Sequence, residues 1–274
     1  MVDLAAYFDR IGFVDEARPD LATLTRLHYA HALTIPFENL TTLLHEPVPL
    51  DLAALEHKLV ASGRGGYCFE QNSLFRAVLE AVGFDVTPLA ARVVWGRAGE
   101  GPTSPRTHMV LLVRLDDETW IADVGFGGAT LTAPLRLVFG VEQSTPHESF
   151  RLLRLAGELE LQIRLGDDWR PVYRFDLQPQ QPIDYEVLNH YVATHPSSHF
   201  RSALIAGRPF EDGRYALADN ALATHRLGAA TERRTLESAG ELREALTDLF
   251  GITLPSSAAL DAKLGEIASR PPRD

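Results

Sequence analysis

The spacing of apolar positions changes twice along the chain. In residues 3–11, 20–33 and 51–61 apolar side chains recur every three or four positions, the period of an amphipathic helix. Each of these runs opens on an Asp suited to N-capping. Ile35-Pro36 ends the second run, because a residue before proline is pushed out of helical dihedrals. A fourth helix is expected from near Cys68, with Phe75, Val78, Leu79 and Val82 on its apolar stripe and Gly83 as its stop. After Gly83 the period falls to two. The runs VTPLAARVVW, THMVLLVRL, TWIADVGF, SFRLLRL, ELELQIRL and WRPVYRFDL are separated by turn signals at Asp116-Asp117 and Gly166-Asp167-Asp168. They predict an antiparallel meander or a small barrel. From Asp184 the pattern mixes: a helix to about Thr194 broken at Pro196, short strands around Tyr215 and over 222–227, and helices over 241–250 and 258–269. The last four residues, 271–274, are expected to be disordered.

Composition narrows the function classes. The 274 residues are 45% hydrophobic and 23% charged, enough for one large domain or two to three small ones. The opening MVDLAAYFDRIGF has no basic segment followed by an apolar block, and no run of about 18 apolar residues occurs, so neither export nor membrane insertion is expected. The formal net charge is −11 and the densest basic cluster is the pair Arg233-Arg234, which argues against nucleic acid as a partner. An acidic surface still leaves room for a local basic pocket. With one cysteine, no internal disulfide and no zinc site built on several thiolates can form; the reading is a metal-free protein of a reducing compartment, the cytoplasm.

That one cysteine sits in Arg64-Gly65-Gly66-Tyr67-Cys68-Phe69-Glu70, after two glycines and at the start of the fourth helix. A lone cysteine commonly packs as a small hydrophobe. At a helix start, however, free N–H groups and the positive end of the helix dipole favour a thiolate, and glycines leave open space beside the sulfur. A thiolate nucleophile needs a base and a group that orients the base. His108 opens the strand THMVLLVRL, and Asp123 lies within WIADVGFGG, where a carboxylate needs a partner. A turn centred on Asp117 sets Leu115 opposite Thr119 and His108 opposite Phe126. Asp123 is then three residues along, roughly 10 Å at 3.3 Å per residue. The triad therefore requires a shifted register or a bulge near these strands.

The blocks YFDRIGF, TIPFENL, RGGYCFEQN, THMVLLV, ADVGFGG and THPSSHF, in this order and over nearly the whole chain, resemble the arylamine N-acetyltransferase family. The resemblance implies an α+β fold: an N-terminal helical bundle carrying the nucleophile (1–83), a central antiparallel β-barrel carrying histidine and aspartate (84–190) and a C-terminal α/β lid (191–274), around a Cys-His-Asp core like that of transglutaminases and papain-type proteases. It implies Cys68 as the acetyl-accepting nucleophile, His108 as its proton partner and Asp123 as the orienting carboxylate. Acetyl-CoA is the implied donor, and arylamines, arylhydrazines or hydrazides, including xenobiotic amines, are the implied acceptors in a ping-pong reaction. Phe37, Phe126 and Thr107 are candidate substrate contacts. Trp95, Gly125, Gly127, Gly128, Phe200 and His225 are candidate coenzyme contacts. The glycine run lacks a following Gly-Lys-Ser/Thr and so is not a nucleotide-triphosphate loop; its expected use is close backbone approach to the coenzyme. Glu38 is expected to pair with Arg64 rather than to act as an acid. The loop over 96–106 has a shape that the resemblance does not supply, and a homodimer is compatible with it. A thiol hydrolase or a transglutaminase-like amide transferase on the same triad, and a non-catalytic scaffold, remain the competing readings.

Overall fold

The computed structural model describes residues 1–96 and 104–271; the centre of the loop over 96–106 and the end of the tail lie outside the described residues. Helices α1 (Leu4–Ile11) and α2 (Leu21–Thr34) begin where their Asp caps stand. Asp3 accepts from the Ala6 N–H at 3.0 Å and Asp20 from the Thr23 N–H at 2.7 Å, satisfying first-turn donors that have no partner inside the helix. A two-residue strand β1 (Phe37–Glu38) and a short helix α3 (Leu40–Leu43) follow. Helix α4 (Leu52–Leu55), capped by Asp51, runs on as a π-helical turn over Glu56–Ala61. Helix α5 (Cys68–Val82) stops at Gly83, whose φ of 108° suits a residue without a side chain. Phe69, Leu74, Phe75, Val78 and Leu79 bury its apolar stripe completely. Among the described residues no helix is long and apolar enough to cross a membrane.

The next eight strands form one antiparallel sheet. They are β2 (Asp85–Val93), β3 (Arg106–Leu115), β4 (Glu118–Ala122), β5 (Leu135–Arg136), β6 (Gln143–Ser144), β7 (Ser149–Arg154), β8 (Leu159–Leu165) and β9 (Asp168–Pro179), ordered β5-β4-β3-β2-β9-β8-β7-β6. The sheet curls around Val110, Leu112, Ile121, Leu152, Leu161, Val172 and Phe175. Its edges meet through one side chain: Gln143 accepts from the Arg136 N–H at 2.8 Å and donates to the Arg136 carbonyl at 3.0 Å. The result is a nearly closed barrel, the arrangement that removes exposed strand edges.

Helix α6 (Pro182–Thr194) leads to a second sheet of β10 (Ile205–Phe210), β11 (Gly213–Ala218), β12 (Ala221–Arg226) and β13 (Glu232–Thr235). Helices α7 (Ala239–Glu244) and α8 (Ala258–Ala268) pack on it, and Leu204, Leu217, Leu242, Leu246, Phe250, Leu260 and Leu264 form the core between them. The segment around Phe37 departs from the helical reading of the first third. Strand β1 joins the edge of the second sheet, with Phe37 opposite Gly207 and Glu38 opposite Ala206. Two residues are too few to carry a periodic signal, and the partner lies far along the chain.

The β3–β4 hairpin has a register shifted by one residue from the plain turn, as the triad requires. Leu115 opposes Glu118 rather than Thr119, so the turn holds only Asp116 and Asp117, with Asp116 at a φ of 51°. Pairing continues without interruption to Leu111–Ala122. One further step sets Asp123 opposite Val110, and His108 becomes its diagonal neighbour on the same face, within reach of long side chains. The one-residue difference matters because it flips a side chain to the other face. No bulge interrupts the β3–β4 ladder. The irregularity lies on the other flank of β3, where Ala91 pairs with His108 and Arg92 with Arg106, leaving Thr107 without an opposite residue in β2.

Gly207 is where the second sheet meets the glycine run. A Cβ there would come 2.8 Å from the Gly128 nitrogen and 2.9 Å from the Gly127 carbonyl carbon, and backbone cannot give way. Gly207→Ala is expected to destabilise the protein by about 2–3 kcal/mol, lowering Tm by roughly 4–8 °C in a calorimetric scan. An unchanged Tm would show that this contact is looser than described.

Candidate active site

The sequence folds the loop before Cys68 against the loop that carries Asp123. Glu38 accepts from Arg64 Nε at 2.8 Å and from the Leu40 N–H at 2.7 Å, which fixes the arginine as a strut beside the cysteine loop, as the resemblance implies. Gly66 N–H donates to the Pro36 carbonyl at 3.3 Å, and the Glu38 N–H to the Gly66 carbonyl at 3.2 Å. Helix α5 then starts at Cys68, with the Glu70 carboxylate accepting the Tyr67 N–H at 3.0 Å and Lys58 Nζ at 2.6 Å. Burial pushes the Glu70 carboxyl up, and Lys58 works against that push. A Cβ on Gly66 would overlap the Glu70 side chain at 2.7 Å, so glycine is required by that packing.

Cys68 is 4% exposed, with its Sγ 3.4 Å from the Thr107 carbonyl oxygen. The bulge at Thr107 therefore aims a backbone carbonyl at the sulfur. His108 Nε2 lies 2.7 Å from Asp123 Oδ2, and both side chains are buried. The imidazole also interacts with the Cys68 side chain, which leaves Nδ1 as the ring nitrogen for the sulfur. Burial alone would lower the pKa of His108, but the Asp123 charge and hydrogen bond, with a smaller contribution from Cys68, push it up to about 10. Burial acts on Asp123 in the opposite sense, and His108, Asn72 and the Gly125 N–H together hold its carboxyl below the usual range.

The expected contacts fall into two groups. Phe126 stands edge-on to His108 at 5.2 Å, with Tyr173 at 5.6 Å and the half-exposed Trp95 at 6.4 Å. Phe37 packs 6.1 Å from Phe200, which also meets the Tyr67 ring at 5.9 Å. Gly125 lies against the Cys68 Cα and Asn72, and Gly127, at a φ of 86°, lies under the Phe37 ring. The Gly128 carbonyl accepts from Arg214 Nη1 at 2.8 Å. His225 is not brought to this group. It sits on β12 opposite Arg214, whose guanidinium reaches the Gly128 carbonyl, and is itself bonded to Thr231 Oγ1 at 2.8 Å. Among the described residues no group of three or more His, Cys, Asp or Glu side chains is placed to hold a metal ion.

Several residues that set this geometry were not singled out by the sequence. Asn72 Nδ2 donates to Asp123 Oδ1 at 2.9 Å and to the Met109 carbonyl at 2.8 Å, while its Oδ1 accepts the Val124 N–H at 3.1 Å. Gln71 Nε2 reaches the carbonyls of Ile35, Pro36 and Gly66, and its Oε1 lies 2.7 Å from His31, which in turn meets the Tyr7 hydroxyl at 2.7 Å. His28 Nε2 accepts the Asp123 N–H at 3.1 Å; burial lowers its pKa to about 4, so the ring is neutral and free to accept. The Tyr173 ring packs 4.9 Å from His108, and its buried hydroxyl faces the Asp123 charge. The signal was present in part: Gln71 and Asn72 follow Cys68 by three and four residues, polar positions on the face of α5 that Phe75, Val78 and Leu79 bury.

Asn72→Ala removes both donors and one acceptor from this frame at a fully buried position. The expected loss is about 2–4 kcal/mol of stability by denaturant titration, with a roughly 10- to 100-fold slower reaction of Cys68 with iodoacetamide at pH 7. Equal alkylation rates would show that Asn72 does not set the array. His108 has a folded pKa raised above its unfolded value of about 6.5. The stability it contributes is therefore complete below about 6.5 and is lost as pH rises through about 10. The advantage of the wild type over His108→Gln in Tm should shrink steadily from pH 6.5 to 10; an advantage growing over that interval would reverse the sign of the argument.

The sequence model of a family described as N-acetyltransferase matches residues 20–259. An arylamine N-acetyltransferase of Mycolicibacterium smegmatis is 44% identical over 271 residues, covering 97% of this chain and 98% of the relative. The arylamine N-acetyltransferase structure from M. tuberculosis superposes with a TM-score of 0.93 at 41% identity, covering 96% of this chain and 100% of that one. The Mycobacterium marinum arylamine N-acetyltransferase in complex with CoA does so with a TM-score of 0.93 at 40% identity, covering 97% and 99%. Sequence and fold agree over nearly the whole chain, and the chain belongs to the arylamine N-acetyltransferase family of acyltransferases.

Proposed function

We propose that this chain moves an acetyl group from acetyl-CoA to the amine of arylamines, arylhydrazines or hydrazides by a ping-pong route, with Cys68 as the acetyl carrier. The observation that carries the reading is the array in which one buried imidazole meets both Asp123, at 2.7 Å, and the Cys68 side chain. Asp123 orients His108 and holds it protonated, and the imidazolium stabilises the Cys68 thiolate. In the first half-reaction the thiolate attacks the thioester carbonyl, the bond to the coenzyme sulfur breaks, and coenzyme A leaves with the His108 proton. In the second, the acceptor nitrogen attacks the Cys68 thioester, the carbon–sulfur bond breaks, and His108 takes the nitrogen proton. That restores the ion pair. The oxyanion of each tetrahedral intermediate is stabilised at the start of α5, where the Cys68 N–H has no partner within the helix and serves as a donor.

In this reading Phe37, Phe126 and Thr107 receive the acceptor. Gly125, Gly127 and Gly128, with Trp95 and Phe200, let the coenzyme's pantetheine arm approach the backbone; His225 is bonded away from them. Residues 1–83 supply the nucleophile, 84–190 its two partners and 191–274 the cover. The absence of paired cysteines supports action in the reducing cytoplasm.

Rapid mixing with acetyl-CoA, acid quench and peptide mass spectrometry should find one acetyl group on the peptide containing Cys68, discharged by an arylamine and absent in Cys68→Ser. His108→Gln should slow acetylation by about 10²–10⁴-fold. An unmodified Cys68 peptide in the wild type, together with acyl transfer from a glutaminyl peptide, would instead identify an amide transferase on the same three side chains.

A further inference from the structure

Helix α2 buries two histidines one turn apart. His28 and His31 have no exposed surface, and Phe75 of α5 meets both rings edge-on, with centroids 5.7 Å and 5.3 Å away. Residues three apart on a helix share a face, and a face sealed in a core is ordinarily apolar. Both of these rings instead make polar contacts to the elements of the active site. His28 Nε2 takes the Asp123 N–H at 3.1 Å, joining α2 to the carboxylate loop. His31 has its Nδ1 2.7 Å from the Tyr7 hydroxyl and its Nε2 2.7 Å from Gln71 Oε1. Gln71 Nε2 in turn donates to the carbonyls of Ile35 at 3.3 Å, Pro36 at 2.9 Å and Gly66 at 3.2 Å. Gly66 stands two residues before Cys68.

These contacts fix where the protons lie. A backbone N–H can only donate, so His28 Nε2 is bare and the ring proton is on Nδ1. Three carbonyls around Gln71 Nε2 make that atom the amide nitrogen, so Oε1 accepts and His31 holds its proton on Nε2. Its bare Nδ1 then accepts from Tyr7. The two rings are neutral and opposite in tautomer. Burial lowers the His28 pKa to about 4, against the Asp123 charge, and that of His31 to about 3, against the Gln71 hydrogen bond. Nδ1 of His28 meets no acceptor in hydrogen-bond geometry among the described residues. An apolar side chain would avoid that cost; the chain bears it where Nε2 is the partner of the Asp123 backbone. We propose that His28 and His31 are positioning residues for the acetyl-transfer chemistry: from one face of α2, His28 fixes the backbone of Asp123 and His31, through Gln71, fixes the loop that leads into Cys68. The assignment rests on the reading of Cys68, His108 and Asp123 as the reacting array. Each ring acts on its own half. His28 sets the carboxylate that holds the His108 cation, and His31 sets the backbone before the sulfur.

The test reads two quantities on the whole, folded protein: the rate of Cys68 alkylation by iodoacetamide at pH 7, and the nitrogen-15 titration of His108. His28→Leu, which has no acceptor, should slow alkylation by about 10- to 100-fold and bring the His108 titration down. His28→Gln, whose side-chain oxygen can take the Asp123 N–H, should restore both. His31→Leu should slow alkylation by a similar factor and leave the His108 titration in place. Residues that only fill the core would lower Tm when replaced and move neither readout. Folded variants with the wild-type rate and titration, or a His28→Gln no better than His28→Leu, would overturn the assignment. If a leucine variant does not fold, the tautomers in the wild type at pH 7 settle the matter: His28 protonated on Nδ1 and His31 on Nε2 support it, and the reverse at either ring, or an imidazolium, refutes it. Acetylation of wild-type Cys68 by acetyl-CoA is read in parallel by peptide mass spectrometry. Its absence would remove the acetyl-transfer reading, whereas an acetylated wild type whose histidine variants match it would remove only the positioning roles.

Discussion

A carboxylate sealed from solvent governs this molecule. Asp123 has no exposed surface, and removing its charge from water would cost several kcal/mol if nothing answered it. The fold answers with donors from three directions: the His108 ring from β3, the Asn72 carboxamide from α5 and the N–H of Gly125 from its own loop. Each of those donors belongs to a block that carries the family resemblance. Satisfying one buried charge thus brings the cysteine helix, the histidine strand and the glycine run into one register, and it sets His108 as a cation beside the sulfur.

Close packing at the glycines makes that register tight. Gly66 makes way for Glu70, Gly125 for the Cys68 backbone and Asn72, Gly127 for the Phe37 ring, and Gly207 for the Gly127-Gly128 backbone. These contacts form a chain from the cysteine loop to the edge of the second sheet, where β1 and β10 pair. Phe37 is held on both sides of that chain. It reports on the cysteine loop through the Gly66 hydrogen bonds and on the second sheet through Gly207.

Much of this was legible in the sequence because it is local. The Asp caps at 3, 20 and 51, the helix stop at Gly83 and the two-residue period of six strands each depend on neighbours a few positions away, and each stands where the pattern set it. What the sequence did not disclose is set by partners distant along the chain. Strand β1 exists only because β10 lies beside it, and β10 and β13 themselves, with a proline in one and four charged or polar residues in the other, lack the alternation that marks a strand. The hairpin register turned on one residue of turn length, which the Asp116-Asp117 pair does not specify; a plain turn left Asp123 three residues along from His108, and the register shifted by one residue sets the two on the same face. His225, a candidate coenzyme contact outside all of the quoted blocks, stands on β12 bonded to Thr231. Asn72 and Gln71 carried a readable signal, polar side chains on a buried helical stripe, whose meaning depends on the carboxylate and carbonyls that face them.

The central claim is that the buried carboxylate keeps His108 cationic next to Cys68. Nitrogen-15 NMR of protein labelled at histidine, assigned by comparison with His108→Gln and titrated from pH 5 to 10.5, measures this directly. The account predicts that His108 keeps both ring protons through pH 8 and releases one near pH 10, and that Asp123→Asn brings that titration down by several units. A His108 that titrates near 6.5 in the wild type, or one that does not respond to Asp123→Asn, would contradict it.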